Sequence, residues 1–320
     1  MWGSVRPDTW KAVQRARLLE LLGDLPDERG PVRTLAAERR PAEGYILERL
    51  VLDLNGIEPV PAWFVRPAGA EGKLPVVLFN HSHGGNYHVG KDELIKGAAY
   101  LQTPPFAELL TGLGYAALGI DAWGFGERSV RTEAEIFKEM LWTGKVLWGM
   151  MVYDGLRAVD YLCTRPDVDP DRIGTLGMSM GGTMAWWLAA LDERIRFCVD
   201  LCSLADYDTM RETRAFNHHN FYYFVPGLLK RFTTGSINAL IAPRPHLSLA
   251  GLRDKLVPAA GLDKLDRELK AVYEAAGAPD NWRLFTCDAG HEETEAMRSE
   301  IRTFLTRQLE HGGKAENADR

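Results

Sequence analysis

The chain has 320 residues, 46% of them hydrophobic and 26% charged, with a formal net charge of −6. That length and apolar content suit one large folded domain rather than a disordered chain. The mild negative charge argues against a nucleic-acid binder, which would need a clustered basic face, and no apolar run approaches the ~20 residues of a membrane span.

The first 23 residues lack the apolar stretch and small-residue cleavage site of a signal peptide. The four cysteines (Cys163, Cys198, Cys202, Cys287) show no CxxC or zinc-type spacing, and Cys198 and Cys202, in or beside an apolar strand, read as reduced, buried thiols. A cytoplasmic protein fits these features.

In chain order, residues 8–23 read as an amphipathic helix, and 24–44, charged and broken by Pro and Gly, as a loop or short helical arm. Residues 1–47 are therefore expected to form an N-terminal helical arm. "ERLVLDL" and "EPVPAWFVRP" predict two strands joined by a turn at Asn55-Gly56. From there apolar strands alternate with helices. Strands are expected at 75–82, 115–121, 172–179, 196–203, 245–251 and 282–288, and helices at 104–114, 135–163, 180–191, 259–277 and 292–310. This rhythm predicts an α/β fold with a mostly parallel, eight-stranded sheet flanked by helices. Its domain would span 48–310. Residues 204–244 break the rhythm and read as a small cap insertion, and 311–320 as a flexible polar tail.

The chemistry begins at "RIGTLGMSMGGTMAWWLAAL", where a strand turns into a helix on Ser179, between Gly177 and Gly181. GxSxG alone is a weak motif, but the strand before and helix after are the context it requires. Such a turn exposes the hydroxyl at the carboxyl end of the sheet. It also leaves the Met180 N–H at a helix N-terminus, where negative charge is favoured. The bland alternative is a turn that only packs the helix close to the sheet.

A serine hydroxyl needs a base, and the base needs an orienting acid. His291 lies in "FTCDAGHEE" after the last strand, and Asp254 in "GLRDKLVP" after the strand before it. The order Ser179, Asp254, His291 is the order this sheet demands. Asp288 and Asp206 are rival acids. The loop "NHSHGGNYHVG" after the strand 75–82 offers the second oxyanion donor, with the His83 amide first and Gly84 next. His81, His83 and His88 leave a competing metal-binding reading open, though the run lacks the Asp-His that completes a dinuclear site; no metal or other cofactor is expected. In the cap, His218, His219 and Tyr222 are candidate substrate contacts, and Trp123 a candidate pocket residue. Trp186 and Trp187 read as packing for the helix after Ser179, and Asp154 and Asp160 as helix-cap or salt-bridge residues.

"GMSMGG", "GLRDKLVP" and "DAGHEE" fall where α/β-hydrolases carry nucleophile, acid and base, so the chain resembles that superfamily. "DGLRAVDYLCTRPDVDPDRIGTLGMSMGG" and "GIDAWGFGERS" resemble its dienelactone-hydrolase-like and acetyl xylan esterase-like bacterial esterase branch. The resemblance runs from about residue 48 to 310. It departs from true dienelactone hydrolases, which use cysteine, and its oxyanion loop reads HSHGG rather than HGGG. It implies a serine esterase, with a small-molecule ester of a small or medium acyl group, acetylated carbohydrates among them, as substrate. The alternatives are another serine acyl-transfer enzyme (peptidase, amidase, thioesterase) or a non-catalytic protein on the same fold. Nucleic-acid and membrane partners are not expected; a homo-oligomer is allowed.

Overall fold

The computed structural model describes residues 7–26 and 30–315. Nine strands form one mixed sheet: β1 (Arg33–Pro41), β2 (Tyr45–Asp53), β3 (Val60–Pro67), β4 (Leu74–Asn80), β5 (Ala116–Ile120), β6 (Val168–Met178), β7 (Ile195–Leu201), β8 (His246–Gly251) and β9 (Trp282–Cys287). Their order across the sheet is β1-β2-β3-β5-β4-β6-β7-β8-β9. The first three strands and the β3–β5 pair are antiparallel, and every pairing from β5 to β9 is parallel.

The ninth strand corrects the eight-stranded expectation. β1 lies inside the segment read as a loop or helical arm, and all nine of its residues are exposed. With neither face buried, "RTLAAERRP" has no reason to alternate polar and apolar residues. Its backbone pairing with β2 holds it. The helix before it, α1 (Pro7–Glu20), docks on the domain. Leu18 and the following Leu22 are fully buried, and Arg15 donates to the carbonyls of Ala190 and Leu240.

The other helices are α2 (Asp92–Lys96), α3 (Phe106–Gly112), α4 (Glu133–Trp142), α5 (Leu147–Thr164), α6 (Met180–Leu191), α7 (Tyr207–Thr213), α8 (Thr234–Asn238), α9 (Ala259–Ala275) and α10 (Glu295–Ala315). α10 runs on through 311–315, which were expected to belong to the tail; 316–320 lie outside the described residues. β4 shows how the sheet separates two cores. Val76 and Leu78 pack into one core with Trp148 of α5 and Trp186 and Trp187 of α6. Val77 and Phe79 pack into the other with Phe106 of α3 and Met297, Ile301 and Leu305 of α10. Period-two alternation on a strand buried on both faces produces this split.

The chain passes from β4 outward to β5, then back across to β6 on the other side. The carboxyl ends of β4 and β6 thus flank the point where the strand order reverses, the place where open α/β sheets bind ligands. Between β7 and β8, residues 202–245 carry α7, α8 and three short 3₁₀ turns. Among the described residues, no helix is long and apolar enough to cross a membrane.

Candidate active site

Ser179 follows β6 directly and precedes α6, with φ 54° and ψ −120°. A non-glycine residue rarely holds such a conformation, and it persists only where the surroundings enforce it. Here the Ser179 N–H donates to Leu201 O on β7 at 2.8 Å, and Ser179 O accepts from Thr183 N–H at 2.9 Å. Gly181 makes the turn feasible: a Cβ there would overlap the carbonyl oxygen of Asn80 at the end of β4. All twelve residues of α6 are buried, so the helix cannot tilt away to relax the turn.

Two distant segments converge on this serine. His291 Nε2 lies 2.8 Å from Ser179 Oγ, and His291 Nδ1 lies 2.6 Å from Asp254 Oδ2. A carboxylate accepts only, so Nδ1 carries the proton and Nε2 faces the hydroxyl with its lone pair. Asp254 is 5% exposed, and its second oxygen accepts the Leu256 N–H at 2.8 Å. The rival acids sit elsewhere. Asp288 is exposed and paired with Arg253, and Asp206 caps α7 and is held by Lys264.

The loop after β4 is fixed by its own histidines. His81 is buried; its Nδ1–H donates to Ser82 O at 2.8 Å and its Nε2 accepts the Ala122 N–H at 3.1 Å. Burial lowers its pKa. His83 Nδ1 accepts the Gly85 N–H at 2.9 Å, so its Nε2–H donates to Tyr222 Oη at 3.0 Å. Burial, with His81 and His291 nearby, pushes the His83 pKa down to about 4. His88 is exposed and bonded to Ser129 Oγ at 2.9 Å. The imidazole nitrogens of His81 and His83 are thus engaged with the protein, and neither of the two described groups with metal-ligand proximity contains these histidines.

The support beneath this loop was not visible in the sequence. Glu93 of α2, fully buried, accepts the Ser82 N–H at 2.9 Å and the hydroxyl of Tyr100. Gly84, at φ +53°, lies so close to the Tyr100 ring that any Cβ would collide with it. Tyr100 O in turn accepts from Glu293 N–H at 2.9 Å, two residues beyond His291. The Glu93–Tyr100 cluster therefore braces both the loop after β4 and the His291 loop. Burial, reinforced by Glu293, pushes the Glu93 pKa up to about 7 against the hydrogen bonds from Tyr100 and Ser82.

A small cavity of about 20 Å³ opens at the serine, lined by Ser179, Met180, Cys202, His219, Tyr222 and Tyr223 among others. That is room for about one water-sized group. Of the cap residues expected to contact substrate, His219 and Tyr222 are brought there. His219 stacks on Tyr223 with ring centres 4.4 Å apart and hydrogen-bonds Leu256 O at 3.2 Å. His218 is exposed and does not line this cavity, and neither does Trp123. Trp123 is 5% exposed within the core, under the Arg128 guanidinium at 4.5 Å, because the buried Arg128–Asp154 pair occupies that side.

Sequence reasoning also missed Cys202 and Ser203, which line the cavity from the end of β7. Cys202 has φ 48°, and Ser203 Oγ donates to Asp200 Oδ1 at 2.8 Å. Asp200 itself is buried against His246 Nε2 at 2.7 Å. Their position at a strand's carboxyl end was the available signal.

Comparison with known proteins places this geometry in context. The sequence profile of the X-Pro dipeptidyl-peptidase (S15) family matches residues 60–282. The Bacillus subtilis (strain 168) protein YtaP, provisionally named a hydrolase, is 56% identical over 300 residues, covering 93% of this chain and all of its own length. A glucuronoyl esterase from Solibacter usitatus superposes with TM-score 0.70 at 19% identity, covering 95% of this chain and 94% of that one. An acetyl xylan esterase from Paenibacillus sp. R4 gives TM-score 0.60 at 20% identity, with 95% of each chain covered. At such identities the structural likeness speaks for the fold.

Proposed function

The chain belongs to the X-Pro dipeptidyl-peptidase (S15) family, a hydrolase family on an α/β-hydrolase fold, and on that premise we propose that it cleaves carboxylic esters of short acyl groups through an acyl-enzyme on Ser179. The observation that carries this reading is the Ser179–His291–Asp254 array opening on a cavity of about 20 Å³.

In the proposed scheme Ser179 Oγ attacks the ester carbonyl as His291 Nε2 takes its proton. Asp254 keeps Nδ1 protonated and stabilises the imidazolium. The Met180 N–H is a first-turn amide, which a helix leaves without an internal partner. With the Ser82 N–H committed to Glu93, the His83 N–H is the loop donor that completes the oxyanion site, with Gly84 next along. Each such donor contributes about 3 kcal/mol to the transition state. Collapse of the tetrahedral intermediate expels the alcohol, which takes the proton from His291. Water, deprotonated by the same nitrogen, then releases the acid and restores Ser179.

The size of the cavity favours acetyl over longer acyl groups. Acetylated carbohydrates are the substrate class suggested by the acetyl xylan esterase among the structural neighbours. The family's name favours a second reading, release of X-Pro dipeptides. A dipeptidyl group carries a proline ring and a charged amine, and the small cavity at Ser179 has neither the volume for them nor a carboxylate in its lining.

The two readings separate in one assay. p-Nitrophenyl acetate and acetylated xylose should be hydrolysed, and Ala-Pro-p-nitroanilide should not. Efficient cleavage of the anilide with no ester turnover would replace the esterase reading with the peptidase one.

A further inference from the structure

The cap carries a second pocket, of about 530 Å³ and open to solvent on one side, within the size range of sites for small organic ligands. Its walls are largely apolar, with Tyr207, Met210, Phe216, Val225 and Leu228 among them, and Arg211 and Lys230 also line it. Tyr223 is the one residue common to the linings of this cavity and of the small cavity at Ser179. Its ring is clamped, stacked on His219 and edge-on to Tyr207 with centres 5.5 Å apart. Its hydroxyl reaches Met210 Sδ at 4.0 Å and the side chain of Thr183, a residue on the first turn of α6 that also lines the small cavity.

We propose that Tyr223 is the specificity-determining residue for acyl length: its ring ends the acyl pocket, and the apolar cap cavity behind it is a compartment for hydrocarbon that a smaller residue at this position opens to the serine. This rests on the esterase reading. Each methylene moved from water into such a compartment tightens binding about fourfold, so a chain that reaches it is bound strongly. In the native protein a chain longer than acetyl or propionyl meets the Tyr223 ring first. Met210, with its flexible thioether, lets the far compartment adapt to chains of different shape.

The test is a p-nitrophenyl ester series from acetate to octanoate, run on the wild type, Tyr223→Ala and Tyr223→Leu. Thermal melts monitored by circular dichroism and labelling with a small fluorophosphonate identify the folded, active variants. The wild type should lose at least tenfold in kcat/KM between acetate and hexanoate. Either variant should raise the octanoate-to-acetate ratio at least tenfold, and adding Leu228→Trp to fill the compartment should reverse that gain. An unchanged ratio in a folded, labelled variant would overturn the proposal while leaving the esterase reading intact. Should neither variant fold, the wild-type series still decides, because octanoate turned over as well as acetate contradicts a wall at Tyr223. A wild type that neither hydrolyses acetate nor accepts the fluorophosphonate removes the esterase reading and this proposal with it.

Discussion

His291 Nδ1 and Asp254 Oδ2 are 2.6 Å apart, although 37 residues separate them in the chain. The contact fixes the imidazole tautomer, since a buried carboxylate can only accept. Asp254→Asn would present an amide N–H to the same nitrogen and favour the wrong tautomer. In the proposed scheme kcat should fall about 10⁴-fold. The melting temperature should change little, because the Leu256 N–H keeps an oxygen acceptor. Ester kinetics beside a thermal melt check this. Full activity in the variant would remove Asp254 from the scheme.

Gly181 makes a purely structural claim. An alanine there would drive its methyl into the Asn80 carbonyl, between β4 and β6, where the backbone on both sides is fixed. Gly181→Ala should lose about 3 kcal/mol or more of stability. Urea denaturation measures it, and a loss below about 1 kcal/mol would mean that the turn is looser than described.

Glu93 predicts a pH effect of definite sign. Its pKa stands at about 7 in the folded protein, against a usual value of 4.5. Between those values the folded state holds more protons than the unfolded state, so stability falls as pH rises through the window. The full contribution of this group is on the order of 3 kcal/mol. Glu93→Gln keeps the shape and an acceptor for the Ser82 N–H, and its amide can donate to the Tyr100 hydroxyl. The variant should be more stable than the wild type at pH 8, and the difference should shrink toward pH 5. Melting curves across that range test it; parallel curves would contradict it.

What the sequence revealed and what it hid follow from the range of the interactions involved. The strand–turn–helix at Ser179 was legible because its glycines and its change of periodicity lie within a dozen residues. Asp254 and His291 were legible because the sheet dictates after which strands such groups stand. β1 was not, since a strand exposed on both faces leaves no hydrophobic pattern and depends on β2 for its existence. Trp123 looked like a pocket residue from its place after β5, but the Arg128–Asp154 pair, set by β2–β3 and α5 contacts far away in sequence, buries it. The Glu93–Tyr100 brace is likewise a meeting of segments whose local sequence carries no motif.

Whether Ser179 forms the covalent acyl-enzyme is read at once by intact-protein mass spectrometry after exposure to a fluorophosphonate. One phosphonyl adduct should form per chain, peptide mapping should place it on Ser179, and Ser179→Ala should remain unmodified. An unlabelled wild type, or an adduct that persists in Ser179→Ala, would mean that Ser179 is not the nucleophile.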